Sequence, residues 1–132
     1  MPIVPIQPTI DSGRCFEAHA RRVCSNLWGV PLGSAVVEVA PGLAHQFDLV
    51  SLDARIVGDA KWFKNLAVPS AKWSVIAEYV WLLQHVGAAE RRFLVFGQDR
   101  DVPQRWPARF RPLIADVEFF FLDDSSHLTQ LA

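Results

Sequence analysis

Residues 46–63, QFDLVSLDARIVGDAKWF, place two carboxylates and a lysine in the middle of an otherwise apolar β-hairpin. Side chains alternate along a strand, so Phe47, Leu49, Ile56, Gly58, Ala60 and Trp62 are expected on one face and Asp48, Val50, Val57, Asp59 and Lys61 on the other. The turn falls near Asp53-Ala54. A two-residue loop there, or a four-residue loop from Leu52 to Arg55, gives one and the same register and sets Asp48 directly opposite Asp59. Opposed Cβ atoms stand about 4.5–5.5 Å apart, so the two carboxylates repel unless a proton or cation lies between them. A hard divalent cation, which prefers oxygen ligands, meets that requirement. Lys61 projects from the same face one step along, either to neutralise the pair or to serve a metal-centred reaction. A solvated ion pair worth about 0–1 kcal/mol is the plain alternative, but Val50 and Val57 share the face and point to burial.

Outward from the hairpin, helix and strand signals alternate. Phe16, Ala20, Val23, Cys24 and Leu27 follow helical spacing from about Ser12 to Trp28, and Gly29 with Pro31 stops that helix. Val36 to Val39 is a first strand, and Pro41-Gly42 a turn into the hairpin. Pro69 and Ser70 open a second helix that runs to about Val86 and ends at Gly87, with Trp73, Ile76, Ala77, Val80 and Leu83 on its core stripe. Phe93–Phe96 and Val117–Leu122 are short continuous apolar runs that suit strands covered on both sides. The proline-rich 102–112 segment connects them with room for one helical turn. The expected fold is α/β with a mixed central sheet flanked by helices. An extended proline-containing arm over residues 1–11 (Pro2, Pro5, Pro8) precedes a single domain at 12–124, and 125–132 is a C-terminal tail.

Composition narrows the function classes. The chain has 132 residues, 51% of them hydrophobic, enough for one domain with a real core. Thirteen basic against 14 acidic residues give a net charge of −1, so no global field steers it to nucleic acid and a local patch must do so. Arg91, Arg92, Arg100, Arg105, Arg109 and Arg111 form such a stretch, interrupted by Asp99 and Asp101, which fits a phosphate track and a solvated surface comparably. Cys15 and Cys24 read as reduced thiols of a cytoplasmic protein, with a single bridge as the alternative. No apolar run approaches the length of a membrane span, and the start MPIVPIQPTI lacks the basic region of a signal peptide. The histidines His19, His45, His85 and His127 have no zinc spacing. They read as surface or loop residues, His45 alone being close enough to line the hairpin site. Trp62 and Trp73 fit packing, and Trp106 fits either packing or base stacking.

With Asp48 on the second strand and Asp59-Ala60-Lys61 on the third, the chain from about Ser12 to Leu122 resembles the PD-(D/E)xK nuclease superfamily, the restriction-endonuclease-like fold. The resemblance implies an αβββαβ core, with Asp48 and Asp59 ligating Mg²⁺ or Mn²⁺ and the Ala60 carbonyl as a further ligand. It implies that Lys61 orients the attacking water and stabilises charge on the phosphate. It also implies a metal-ligating glutamate from the first helix, where Glu17 sits. By its neighbours Arg14, Arg21 and Arg22, Glu17 is equally a surface ion-pair member. Phe47 stands where the family name implies proline, Asp59 where glutamate is common, and Val75 where some members carry a glutamine four residues before a tyrosine. The expectation is a metal-dependent nuclease acting on DNA or RNA. The alternatives are a non-catalytic nucleic-acid-binding or assembly module that retains the fold, and a protein whose acidic hairpin is merely structural. Trp81 and Leu82 widen the stripe of the second helix beyond what one sheet face covers, which leads to an expected homodimer with the arm as a contributor.

Overall fold

A computed structural model describes residues 10–64 and 69–132; the Pro2–Pro8 arm lies outside the described residues. Helix α1 spans Gly13–Trp28. The Ser12 hydroxyl accepts the Cys15 N–H at 3.2 Å at its start, and Gly29 ends it with φ 64°, a left-handed conformation that glycine adopts without a Cβ clash. Strands β1 (Gly33–Ala40), β2 (Leu43–Val50) and β3 (Ile56–Phe63) follow, then α2 (Pro69–Gln84) and β4 (Arg91–Gln98). Helix α3 (Asp101–Phe110), a short 3-10 turn, β5 (Glu118–Leu122) and β6 (Leu128–Gln130) complete the chain.

All strands among the described residues join one mixed six-stranded sheet in the order β1-β2-β3-β4-β5-β6. The first three pair antiparallel, β3, β4 and β5 run parallel, and β6 returns antiparallel on β5. Helix α1 covers one face through Phe16, Ala20 and Cys24, packed with Leu49, Ala60, Phe93 and Val95. Two glycines let aromatic rings lie close on this side. A Cβ at Gly58 would stand 2.5 Å from the Phe93 ring, and one at Gly97 would strike the Phe16 ring. Helices α2 and α3 cover the other face, where Ile76, Val80, Leu83 and Trp106 meet Val57, Leu94, Phe96 and Phe119. Strands buried on both faces explain the unbroken apolar runs at 93–96 and 117–122.

Several expectations change. Phe47 was expected to share a face with Leu49, yet Phe47 packs with Val50 and Val57 while Leu49 packs under α1. The reason is a bulge: Gly33 pairs with Val50 but Ala35 with Phe47, which leaves one extra residue on β2 and reverses the alternation behind it. The 102–112 connection is mostly helix, despite Pro103 and Pro107. Pro103 falls in the first turn of α3, where its missing N–H costs no intrahelical bond. Residues 128–130, read as part of a tail, pair with β5 through Leu128–Leu122, Thr129–Phe121 and Gln130–Phe120. Ala77, expected in the core, is exposed, whereas Lys72 is buried. His19, expected at the surface, is buried on α1, with Nδ1 2.8 Å from Arg22 Nη2. Among the described residues no helix is long and apolar enough to cross a membrane.

Candidate active site

The hairpin closes through a four-residue loop, Leu52–Arg55. Ser51 N–H donates to Ile56 O at 3.0 Å, Ala54 N–H to Ser51 O at 2.9 Å, and Ala54 adopts φ 57°. Asp53 Oδ1 fixes the turn by accepting from the Ser51 hydroxyl at 2.7 Å and the Arg55 N–H at 3.1 Å. This loop sets the register Val50–Val57 and Leu49–Gly58. One step further the ladder stops, and side chains take the place of backbone carbonyls.

There Asp59 Oδ1 accepts the Asp48 N–H at 2.8 Å, and Asp48 Oδ2 accepts the Ala60 N–H at 3.1 Å. The two aspartates thus clasp each other's strands reciprocally, β2 having been displaced by its bulge. Asp59 is only 1% exposed and Asp48 half-buried. Burial, then the neighbouring Asp48 charge and a carboxyl–carboxyl hydrogen bond, raise the Asp59 pKa from 3.8 to about 8, against the opposing pull of the Asp48 N–H and Lys61. At neutral pH the pair therefore holds a proton, or a cation in its place.

Strand periodicity puts Lys61 beside Asp59 on the α2 side. Its Nζ sits 3.7 Å from the centroid of the Tyr79 ring, a cation–π contact with α2. Among the described residues no lysine or arginine ion-pairs with Asp48 or Asp59. The one basic partner is His45, whose Nε2 lies 3.3 Å from Asp59 Oδ2. The His45 ring meets Phe47 and Tyr79 edge-on at 4.6 and 5.5 Å. Desolvation and the Lys61 charge outweigh Asp48 and Glu78 and lower its pKa, so His45 is neutral at pH 7.

The structure thus brings Asp48, Asp59, Ala60 and Lys61 together and adds His45 and Tyr79. Glu17 instead pairs with Arg21 along α1 at 3.6 Å. Among the described residues, no three His, Cys, Asp or Glu side chains form a metal-ligating group. His45 was legible as a neighbour from its place three residues before Asp48. Tyr79 carried no such signal, because its approach depends on how α2 lies across the sheet.

No family model, characterised protein or solved structure matches this chain.

The other candidate residues are largely tied into the scaffold. Arg91 pairs with Glu118 at 3.4 Å and lies over Trp28, Arg92 donates to Val86 O at 2.6 and 3.0 Å, and Arg105 pairs with Asp101 at 3.3 Å. Arg100 and Arg109 lie over Phe121 and Trp73. Trp106 is buried, stacked on Phe119, with its indole N–H donating to Trp73 O at 3.1 Å. Trp73 and Trp62 pack at the margins of the two cores. Both cysteines are free thiols; burial pushes Cys24 up to about 12, which leaves it inert, while Cys15 is exposed. The buried Lys72–Asp99 pair, 2.7 Å apart, escaped sequence reading altogether. Asp99 also accepts the Asp101 N–H at 3.0 Å, so one carboxylate joins α2, the end of β4 and the start of α3.

Proposed function

We propose that this chain is a metal-dependent phosphodiesterase acting on DNA or RNA, built on a restriction-endonuclease-like αβββαβ core. The observation that carries the reading is the Asp48–Asp59 pair, in mutual contact, with Asp59 buried and raised in pKa and Lys61 on the same side. A buried and a half-buried carboxylate in contact, with one proton's worth of charge to shed, suit a hard divalent cation. Asp48 and Asp59 would hold Mg²⁺ or Mn²⁺, with the Ala60 carbonyl as a further oxygen. Such an ion supplies polarisation of a phosphoryl oxygen and an acidified water.

The chain's own groups supply the rest. The Asp48 N–H and His45 fix both oxygens of Asp59, and the Ala60 N–H fixes one of Asp48, so the carboxylates are positioned before any substrate arrives. Lys61, held over Tyr79 rather than bound to an aspartate, keeps its charge free for the negative charge that grows on the phosphate. The alternative is a non-catalytic nucleic-acid-binding or assembly module with the same fold. It is favoured by one observation, that no third acid joins Asp48 and Asp59 among the described residues.

A panel of single-stranded, double-stranded and branched DNA and RNA, assayed with Mg²⁺ and with Mn²⁺, separates the two. The nuclease cleaves at least one substrate, and Lys61→Ala lowers the rate by about 10²–10³-fold while the metal still binds. Binding without turnover across the panel would establish the module.

A further inference from the structure

Among the described residues the sheet has two open edges, β1 and β6. Strand β6 has only three residues, whereas β1 has eight, GSAVVEVA, with Glu38 as its single charge and no proline. A sheet edge presents unpaired N–H and C=O groups, and natural proteins blunt such edges with short strands, lysines or prolines. Strand β1 is long and has no lysine or proline; Glu38 and the register shifts against β2 near its two ends blunt it only in part, and the stretch Ala35–Glu38 between those shifts is regular. Val36 at its middle is 67% exposed. More exposed apolar residues mark its two ends. Leu52, 99% exposed, lies at the Gly33 end, where Gly33 pairs with Val50. At the Ala40 end, Leu43 and Trp81 are 54% and 64% exposed and border, with Val39, Ala40, Leu82 and His85, an apolar hollow of about 120 Å³.

We propose that β1 pairs antiparallel with β1 of a second copy across a two-fold axis at Val36, joining the two sheets into one. An axis normal to the sheet keeps like faces together, so the residue on the axis meets its own counterpart. Centred on Val36, the exposed valines cover each other, Ala35 faces Val37, and Ser34 of each copy faces Glu38 of the other. The single charge of the strand thereby gains a hydroxyl donor. Centred on Val37, Glu38 would face Val36; centred on Glu38, two carboxylates would collide. Antiparallel pairing also carries the Leu52 end of each copy toward the Trp81 hollow of the other. The chain's own segment 1–9 is a poorer occupant of this edge, because Pro2, Pro5 and Pro8 have no N–H to donate to a ladder. The dimer sets its two Asp59 sites on one side of the joined sheet, five strand spacings or about 24 Å apart. That spacing holds whether or not the sites hydrolyse phosphodiesters.

Sedimentation equilibrium of the full chain through the micromolar range tests the pairing, together with amide hydrogen exchange. A dimer is expected, with exchange at β1 amides slowing as concentration rises. Val36→Lys, at an exposed side chain, places two ammonium groups on the axis and should raise the dissociation constant about tenfold or more. Val36→Thr should retain the dimer, and Ser34→Lys, which gives Glu38 an opposite charge, should tighten it. If Val36→Lys fails to fold, the double variant Ser34→Lys/Glu38→Lys opposes cations at both ends and must dissociate the dimer instead. A monomer at every concentration overturns the proposal. So does a dimer indifferent to these charges but lost in Trp81→Ala, which would place the interface on α2.

Discussion

Asp59→Asn should make the metal-free protein more stable at alkaline pH and remove most of its pH dependence. The folded pKa of Asp59 is raised from 3.8 to about 8, chiefly by burial and by the Asp48 charge. The native state therefore holds a proton that the unfolded chain gives up near pH 4. The associated stability is fully present below pH 4 and is lost as pH rises through 8. A rise of about four units caps the loss at roughly 5 kcal/mol, from 1.36 kcal/mol per unit. Water entering between the separated carboxylates reduces it, so about 2–3 kcal/mol between pH 5 and pH 9 is expected. That corresponds to a fall of roughly 10 °C in Tm for a domain of this size. Asparagine keeps an oxygen to accept the Asp48 N–H but carries no charge. Urea unfolding of both proteins in EDTA at pH 5, 7 and 9 provides the assay, and the difference between the two curves cancels the titrations of groups that do not touch Asp59. Equal slopes of stability against pH in wild type and Asp59→Asn would refute the reasoning, since they would mean that the buried pair does not hold the proton.

Metal should act in the opposite direction to the proton. Mg²⁺ or Mn²⁺ at 100 times its Kd should stabilise the fold by about 2.7 kcal/mol, more strongly at pH 8.5 than at pH 6.5, and Asp48→Asn or Asp59→Asn should abolish the shift in Tm. A melting curve unmoved by either ion would remove the metal from the proposed function. Lys72→Met should cost about 3–5 kcal/mol in urea unfolding, because it strands the buried Asp99 charge 2.7 Å from where its partner stood. A loss below 1 kcal/mol would show that water reaches Asp99.

The sequence by itself determined two of the helices, five of the six strands and the meeting of the two aspartates. Periodicity placed α1, α2 and β1 to β5 because a helix or a strand must present one continuous apolar face to a core, and that demand is written residue by residue; the three-residue β6, read as tail, is too short to show it. The Val50–Val57 register followed from the parity of a short loop, and parity is a local property. The tertiary structure decided what depends on distant residues meeting. The bulge in β2, created by its mismatch with β1, moved Phe47 to the other core. The same displacement let the carboxylates bond to backbone N–H groups instead of merely facing each other. Helix α3 formed across Pro103 and Pro107 because packing of Trp106 against Phe119 and Phe110 outweighs weak local propensity. Tyr79 beneath Lys61, Glu17 turned to Arg21, and Lys72 against Asp99 were settled by how each helix lies on the sheet. Spacing along one chain specifies which face a side chain occupies, but not which side chain of another element that face will meet.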